Sequence, residues 1–121
     1  MTAGELITRV DELRPNTYGR ELKLRWLRRL DSQIAREIQN THPGLPQGEL
    51  AEPYEPDTEL TAPFPYDEEL YTAYLFCQID LHNGEISKYN QSLALLAAAW
   101  RQLADWVNRT QTPGGVTSLK F

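Results

Sequence analysis

The sequence predicts an all-α protein of one domain: a small antiparallel bundle of three to four helices, with a long proline-rich extended loop and an extended C-terminal tail. Apolar residues recur every three or four positions in four stretches, at about residues 3–13, 19–40, 67–83 and 85–108. Six of the eight prolines fall between residues 41 and 66, and that density of proline excludes a helix there. With 121 residues, the chain can bury one modest core.

The first two predicted helices have clear end signals. Thr2 and Glu5 have the spacing of a capping box, and Pro15 ends the first helix because proline cannot donate to the helical ladder. The second helix has one apolar stripe, formed by Leu22, Trp26, Leu27, Leu30, Ile34 and Ile38. Its arginines lie away from that stripe, at Arg25, Arg28, Arg29 and Arg36.

The last two predicted helices flank an Asn83-Gly84 turn signal. Asp67 is a suitable N-cap for the third helix. We favour a break at Gly84 over a kink in one long helix, since glycine costs about 1 kcal/mol relative to alanine inside a helix. The apolar stripes are expected to include Leu13, Leu81, Ile86 and Ala97. Small side chains should let another helix approach the fourth helix closely, at Ala94, Ala97, Ala98 and Ala99.

Charge separates the proline-rich loop from the helices. Residues 1–40 carry a net charge of +2 and residues 71–121 carry +1, whereas residues 41–70 hold eight acids and no base. The loop also contains five spaced apolar residues, which are Leu45, Leu50, Tyr54, Leu60 and Phe64. These residues either pack the loop onto the chain's own helices or reach a neighbouring subunit, and both interpretations remain open.

The tail, residues 111–121, contains a proline and two glycines and then alternates apolar and polar residues. Its apolar side chains are Val116, Leu119 and Phe121. Such a tail either frays, as termini commonly do, or adds as a strand to the sheet of a partner.

We predict no catalytic, metal-binding or cofactor-binding residues. His42 and His82 lack the spacing of a metal site, and Cys77 has no neighbouring cation to lower its pKa. No nucleophile motif and no phosphate-binding glycine loop is present. Cys77 is therefore expected to be a buried structural thiol in a reducing compartment. The absence of a long apolar run and of a signal-peptide pattern predicts neither a membrane span nor secretion.

Nucleic-acid binding is a weaker hypothesis. The arginines of the second helix could follow a phosphate backbone. The same helix carries Glu21, Asp31 and Glu37, however, and the chain has a net charge of -5. We therefore expect the arginines to pair with acids of the same subunit or of a neighbouring one.

Five short stretches are spread over nearly the whole chain: residues 5–16 (ELITRVDELRPN), 26–31 (WLRRLD), 65–71 (PYDEELY), 80–90 (DLHNGEISKYN) and 108–110 (NRT). Together they resemble a family of small proteins encoded by phages and prophages of Gram-positive bacteria, the head–tail connector or portal adaptor proteins. The resemblance implies a non-enzymatic structural protein of the virion neck, assembled in the host cytoplasm. It implies a helical bundle that forms a ring, commonly of twelve copies, beneath the portal.

The implied partners are the portal protein, neighbouring copies of the chain, and a downstream head-completion or tail protein. DNA would pass through the ring without sequence-specific binding. By their position in the chain, the portal-docking candidates are Val116, Leu119 and Phe121. The candidates for contacts between subunits are Arg25, Arg28, Arg29, Tyr54, Leu60 and Phe64. The alternatives are a small helical interaction or regulatory module of a phage, and a nucleic-acid-binding packaging factor.

Overall fold

The computed structural model describes the backbone of residues 1–41 and 53–110, and the side chains of residues 1–37 and 53–109. Four helices make up these ranges: α1 (Ala3–Leu13), α2 (Arg20–Thr41), α3 (Glu68–Asn83) and α4 (Ile86–Thr110). Within the described residues, the only β-type pairing is an isolated antiparallel bridge between Thr2 and Glu59. The predicted all-α class is confirmed. The interpretations of Leu45, Leu50, His42 and the tail of residues 111–121 concern positions outside the described residues.

Local side chains determine the helix ends. The Thr2 hydroxyl accepts the Glu5 N–H at 3.2 Å, and the Glu5 carboxylate accepts the Thr2 N–H at 3.3 Å. This reciprocal capping box satisfies two N–H groups that the helix itself cannot bond. The Asp67 carboxylate accepts the Glu68 N–H at 2.8 Å at the start of α3. Gly84 ends α3 with a φ of 73°, a left-handed conformation that glycine adopts without strain, so the favoured break between α3 and α4 is confirmed.

The third helix is the centre of the bundle. α3 packs against α1, α2 and α4, whereas α4 packs along α3 and has little contact with α1 and α2. Buried positions therefore surround α3 on all sides, and they are Leu70, Tyr71, Ala73, Tyr74, Leu75, Cys77, Ile79 and Asp80. The remaining core comes from one face of each other helix and from two residues of the loop, Leu60 and Ala62.

Several apolar residues that the periodicity assigns to buried stripes are exposed. Leu13, Leu81 and Ile86 are 63%, 53% and 71% exposed because they lie at helix ends, beyond the helices that cover their neighbours. On α4, Ala97 is exposed too. Since only α3 covers α4, the buried strip of α4 is narrower than its sequence pattern suggests.

Candidate interaction surface

The loop segment 53–62 is held against the helices by a buried carboxylate. Asp31 of α2 is fully buried. It accepts hydrogen bonds from the Tyr54 hydroxyl at 2.6 Å, from the Tyr71 hydroxyl, and from the Thr61 N–H at 3.4 Å. The Tyr71 hydroxyl also accepts the Ala62 N–H at 2.8 Å. A single α2 side chain thus connects α3 to both halves of the segment.

Burial changes the acid–base behaviour of this cluster. Burial raises the pKa of Asp31, and the hydrogen bonds from the tyrosines and Thr61 offset part of that rise. Burial also raises the pKa of Tyr54 and Tyr71 well above the ordinary value, and the neighbouring Asp31 charge adds to the effect. Both tyrosines therefore remain protonated donors.

The N-terminus holds the same segment from the other side. The Ala3 N–H donates to the Thr58 carbonyl at 2.9 Å, and the Gly4 N–H donates to the Pro56 carbonyl at 2.7 Å. These are two of the N–H groups that a helix leaves unsatisfied in its first turn. The loop thus completes the start of α1, which gives this part of the proline-rich segment a structural role.

Two further buried charges link the helices. Asp80 is fully buried and accepts two hydrogen bonds from Arg14, at 2.7 and 2.6 Å, and one from the Ser92 hydroxyl at 2.9 Å. The Arg14 guanidinium also lies 4.0 Å from the centre of the Phe76 ring. Lys23, which is 1% exposed, pairs with Asp11 at 2.6 Å. Each of these charges has a partner inside the fold, as a buried charge requires.

The three loop residues proposed for contacts between subunits separate into two groups. Leu60 is buried in the chain's own core, and Tyr54 is hydrogen-bonded to Asp31. Leu60 is therefore unavailable to a neighbour in this conformation, which removes it from the interface set. Phe64, in contrast, is 87% exposed. For residues 53–66 the alternative of packing onto the chain's own helices is favoured, with Phe64 as the exception.

The arginine face of α2 is only partly available. Arg25, Arg28 and Arg29 are all exposed. A shallow cavity of about 530 Å³ lies beside Arg25 and Arg28, where α2 meets Pro53 and Tyr54. Arg28 has an interaction within the chain. Arg29 hydrogen-bonds Tyr74, which partly offsets the rise in the Tyr74 pKa that burial causes. Arg25 has the least constrained charge of the three.

An apolar groove runs between α3 and α4. It has a volume of about 390 Å³, and its lining combines Phe76 and Ala73 of α3 with Leu95, Ala98 and Ala99 of α4. Leu95 is 61% exposed, which is high for a large apolar side chain on a helix. Sequence periodicity missed this groove because it assigned the small residues of α4 to contacts inside the bundle.

The residues weighed for chemistry are integrated into the packing. The His82 ring lies 5.0 Å from Trp26 and 6.0 Å from Tyr18, and its Nδ1 lies 2.7 Å from the Gln78 carbonyl. Burial raises the pKa of the Cys77 thiol to about 11, so the reactive thiolate is scarce at neutral pH. Among the described residues, no group of three potential ligands lies close enough to hold a metal ion. No helix in the same ranges is long and apolar enough to cross a membrane.

No protein-family model, curated protein or solved structure matches this chain. The candidate surface therefore rests on geometry: Phe64, the α3–α4 groove, and the exposed apolar residues near the Gly84 turn.

Proposed function

We propose that this chain is a structural adaptor of a tailed-phage neck, a head–tail connector that forms a ring beneath the portal and joins the capsid to the tail. Its partners would be the portal protein, neighbouring copies, and a downstream head-completion or tail protein. DNA would pass through the ring without sequence-specific recognition. The sequence resemblance described above motivates the assignment to a phage neck.

One structural observation supports a linking role above the others. Exposed large apolar side chains lie at both ends of α3, with Phe64 before its start and Leu81 and Ile86 around its end. α3 has 16 residues, so these groups are separated by about 24 Å, at 1.5 Å per residue. Exposed apolar groups at opposite ends are typical of a protein that contacts two partners at once.

The buried polar groups favour the same class of function. Asp31, Asp80 and Lys23 each have a partner inside the fold, which accounts for them as structural residues. Their hydrogen bonds connect α2 to α3, α1 to α3, and α1 to α2. The rigid body that results is suited to transmitting contacts between neighbours, which is what an adaptor needs.

The arginine face of α2 would supply one side of a contact between copies. A cyclic ring uses head-to-tail contacts, so each copy needs two different complementary patches. The exposed Arg25 is suited to one such patch, and the exposed Glu55 and Asp57 are suited to the other. This contact would be weakened by salt, since exposed charges are screened.

Electron microscopy of the purified chain mixed with a portal protein encoded in the same genome tests the proposal. We expect ring-shaped density on the portal. Replacing Leu81 and Ile86 together by lysine should reduce portal binding if that end of the bundle docks there. Replacing the exposed polar residues His82 and Asn90 by lysine is the matched control and should leave binding unchanged. A chain that stays monomeric and does not bind the portal would contradict the proposal.

A further inference from the structure

We infer that Phe64 of one copy inserts into the α3–α4 groove of a second copy, so that the chain assembles head to tail. This inference rests on the proposed ring and assigns its contact. The side chain and the groove lie on different surfaces of the molecule, since Phe64 remains 87% exposed beside its own groove. A contact between two different surfaces is heterologous, and its repetition produces a closed ring or an open filament.

The loop presents Phe64 in a well-defined position. Proline fixes its own φ, and Phe64 lies between Pro63 and Pro65. On one side, the Ala62 N–H is bonded to the Tyr71 hydroxyl at 2.8 Å. On the other, the Tyr66 N–H donates to the Pro63 carbonyl at 2.8 Å, and the Tyr66 ring packs on Trp106 at 5.6 Å. Little conformational entropy would therefore be lost when the ring is buried.

The groove matches an aromatic side chain in size and chemistry. Its volume of about 390 Å³ exceeds that of one phenylalanine side chain, and its walls are the Phe76 ring, Leu95 and three alanines. Two aromatic rings pack favourably in an offset or edge-to-face arrangement. At the edge of the groove, the Thr72 hydroxyl is buried and has no hydrogen-bond partner among the described residues. That hydroxyl is suitably placed to bond a polar backbone group of an incoming loop.

Charge favours a second copy as the occupant. Residues 53–69, which carry Phe64, contain six acids and no base, a net charge of -6. Residues 86–110, which form α4, contain three bases and one acid, a net charge of +2. Arg101 of α4 is exposed beside the groove residue Gln102, and no described acid pairs with it. The acidic loop of one copy therefore meets a basic helix on the next.

The contact is an anchor within a larger interface. One phenylalanine buries about 150–250 Å². A stable interface buries about 800 Å² on each partner, so most of the area must come from the surrounding faces. On α4, the exposed Ala94 and Ala97 leave the surface flat enough for a neighbouring loop to approach. The isolated chain should accordingly associate weakly.

Sedimentation velocity from micromolar to millimolar protein tests the contact. We expect concentration-dependent association that Phe64→Ala and Ala98→Glu each weaken by at least about tenfold, as truncation of an interface anchor does. The matched controls are Ile86→Ala, at another exposed apolar residue, and Ala97→Glu, one residue outside the groove lining. Both controls should associate like the wild type. Equal association of all variants would overturn the inference, as would a wild type that remains monomeric throughout.

Cysteine cross-linking tests the geometry. A mixture of Phe64→Cys and Leu95→Cys chains should form mixed disulfide dimers on mild oxidation, whereas the wild type, with only buried Cys77, should form none. Homodimers of either variant in place of mixed dimers would overturn the head-to-tail arrangement. Failure of portal binding with intact, Phe64-dependent association would count against the proposed function alone. Portal-bound rings that Phe64→Ala and Ala98→Glu leave unchanged would count against this contact alone.

Discussion

The Tyr71 hydroxyl donates to the buried Asp31 carboxylate and accepts the Ala62 N–H at 2.8 Å, so one oxygen joins α2, α3 and the loop. The bond to Ala62 lies two residues before Phe64. The stability of the bundle and the position of its most exposed aromatic ring are thereby linked.

Tyr71→Phe should destabilise the protein by about 2 kcal/mol, because it leaves a buried carboxylate without one donor and a buried N–H without its acceptor. Urea unfolding measures the loss, and hydrogen exchange at Ala62 should accelerate before global unfolding. Tyr89→Phe, at a half-buried tyrosine whose hydroxyl has no assigned bond, is the matched control. Equal stability of the two variants would show that the Tyr71 hydroxyl does not hold the segment.

The stability contributed by Asp31 should fall as pH rises. Burial raises its pKa in the folded state, so folding favours the neutral carboxyl group. That contribution is fully present below about pH 4, the ordinary aspartate pKa, and is lost as pH rises through the raised folded value. Relative to Asp31→Asn, the wild type should therefore lose stability across this window, as measured by urea midpoints at a series of pH values. Asp57→Asn, at an exposed carboxylate, should parallel the wild type. A wild type that gains on Asp31→Asn with rising pH would reverse the assigned direction.

Arg14→Ala should destabilise the bundle by about 3 kcal/mol, since it leaves the buried Asp80 charge with only the Ser92 hydroxyl. Arg14→Lys should fall between, because lysine keeps the charge but cannot make both parallel hydrogen bonds. Thermal unfolding followed by circular dichroism measures both variants. Arg25→Ala, at an exposed arginine, should change stability by less than about 0.5 kcal/mol. If Arg14→Ala behaves like Arg25→Ala, the Asp80 pair is not a stabilising link.

Gly4→Ala should destabilise the protein by about 1–2 kcal/mol, although alanine is the better helix former. A Cβ at this position would lie 2.9 Å from the Pro56 carbonyl oxygen and 3.0 Å from the Pro56 Cβ, and would push the loop away from α1. Gly19→Ala is the control, since nothing lies within 4 Å of its added Cβ. Denaturant midpoints should fall for the first variant and hold or rise for the second. A stabilised Gly4→Ala would mean that the loop yields without cost.

Local features of the fold were predictable from sequence because they depend on neighbours within one helical turn. The capping pair of Thr2 and Glu5 and the break at Gly84 are of this kind. The burial of Asp31 was also accessible in principle, since it lies four residues after Leu27 and three before Ile34 on the apolar face. Its donors were not accessible, because Tyr54 and Tyr71 are 23 and 40 residues away along the chain.

The sequence by itself determined the four helices, their ends and the acidic, proline-rich character of the loop. Only the tertiary structure decided which apolar residues are left over for a partner. Leu60 and Phe64 are four residues apart in the same loop, and one is in the core while the other is 87% exposed. Leu95 and Leu96 are adjacent on α4, and α3 covers only the second. Burial depends on what lies opposite each side chain, and in this bundle that is decided by contacts between distant parts of the chain.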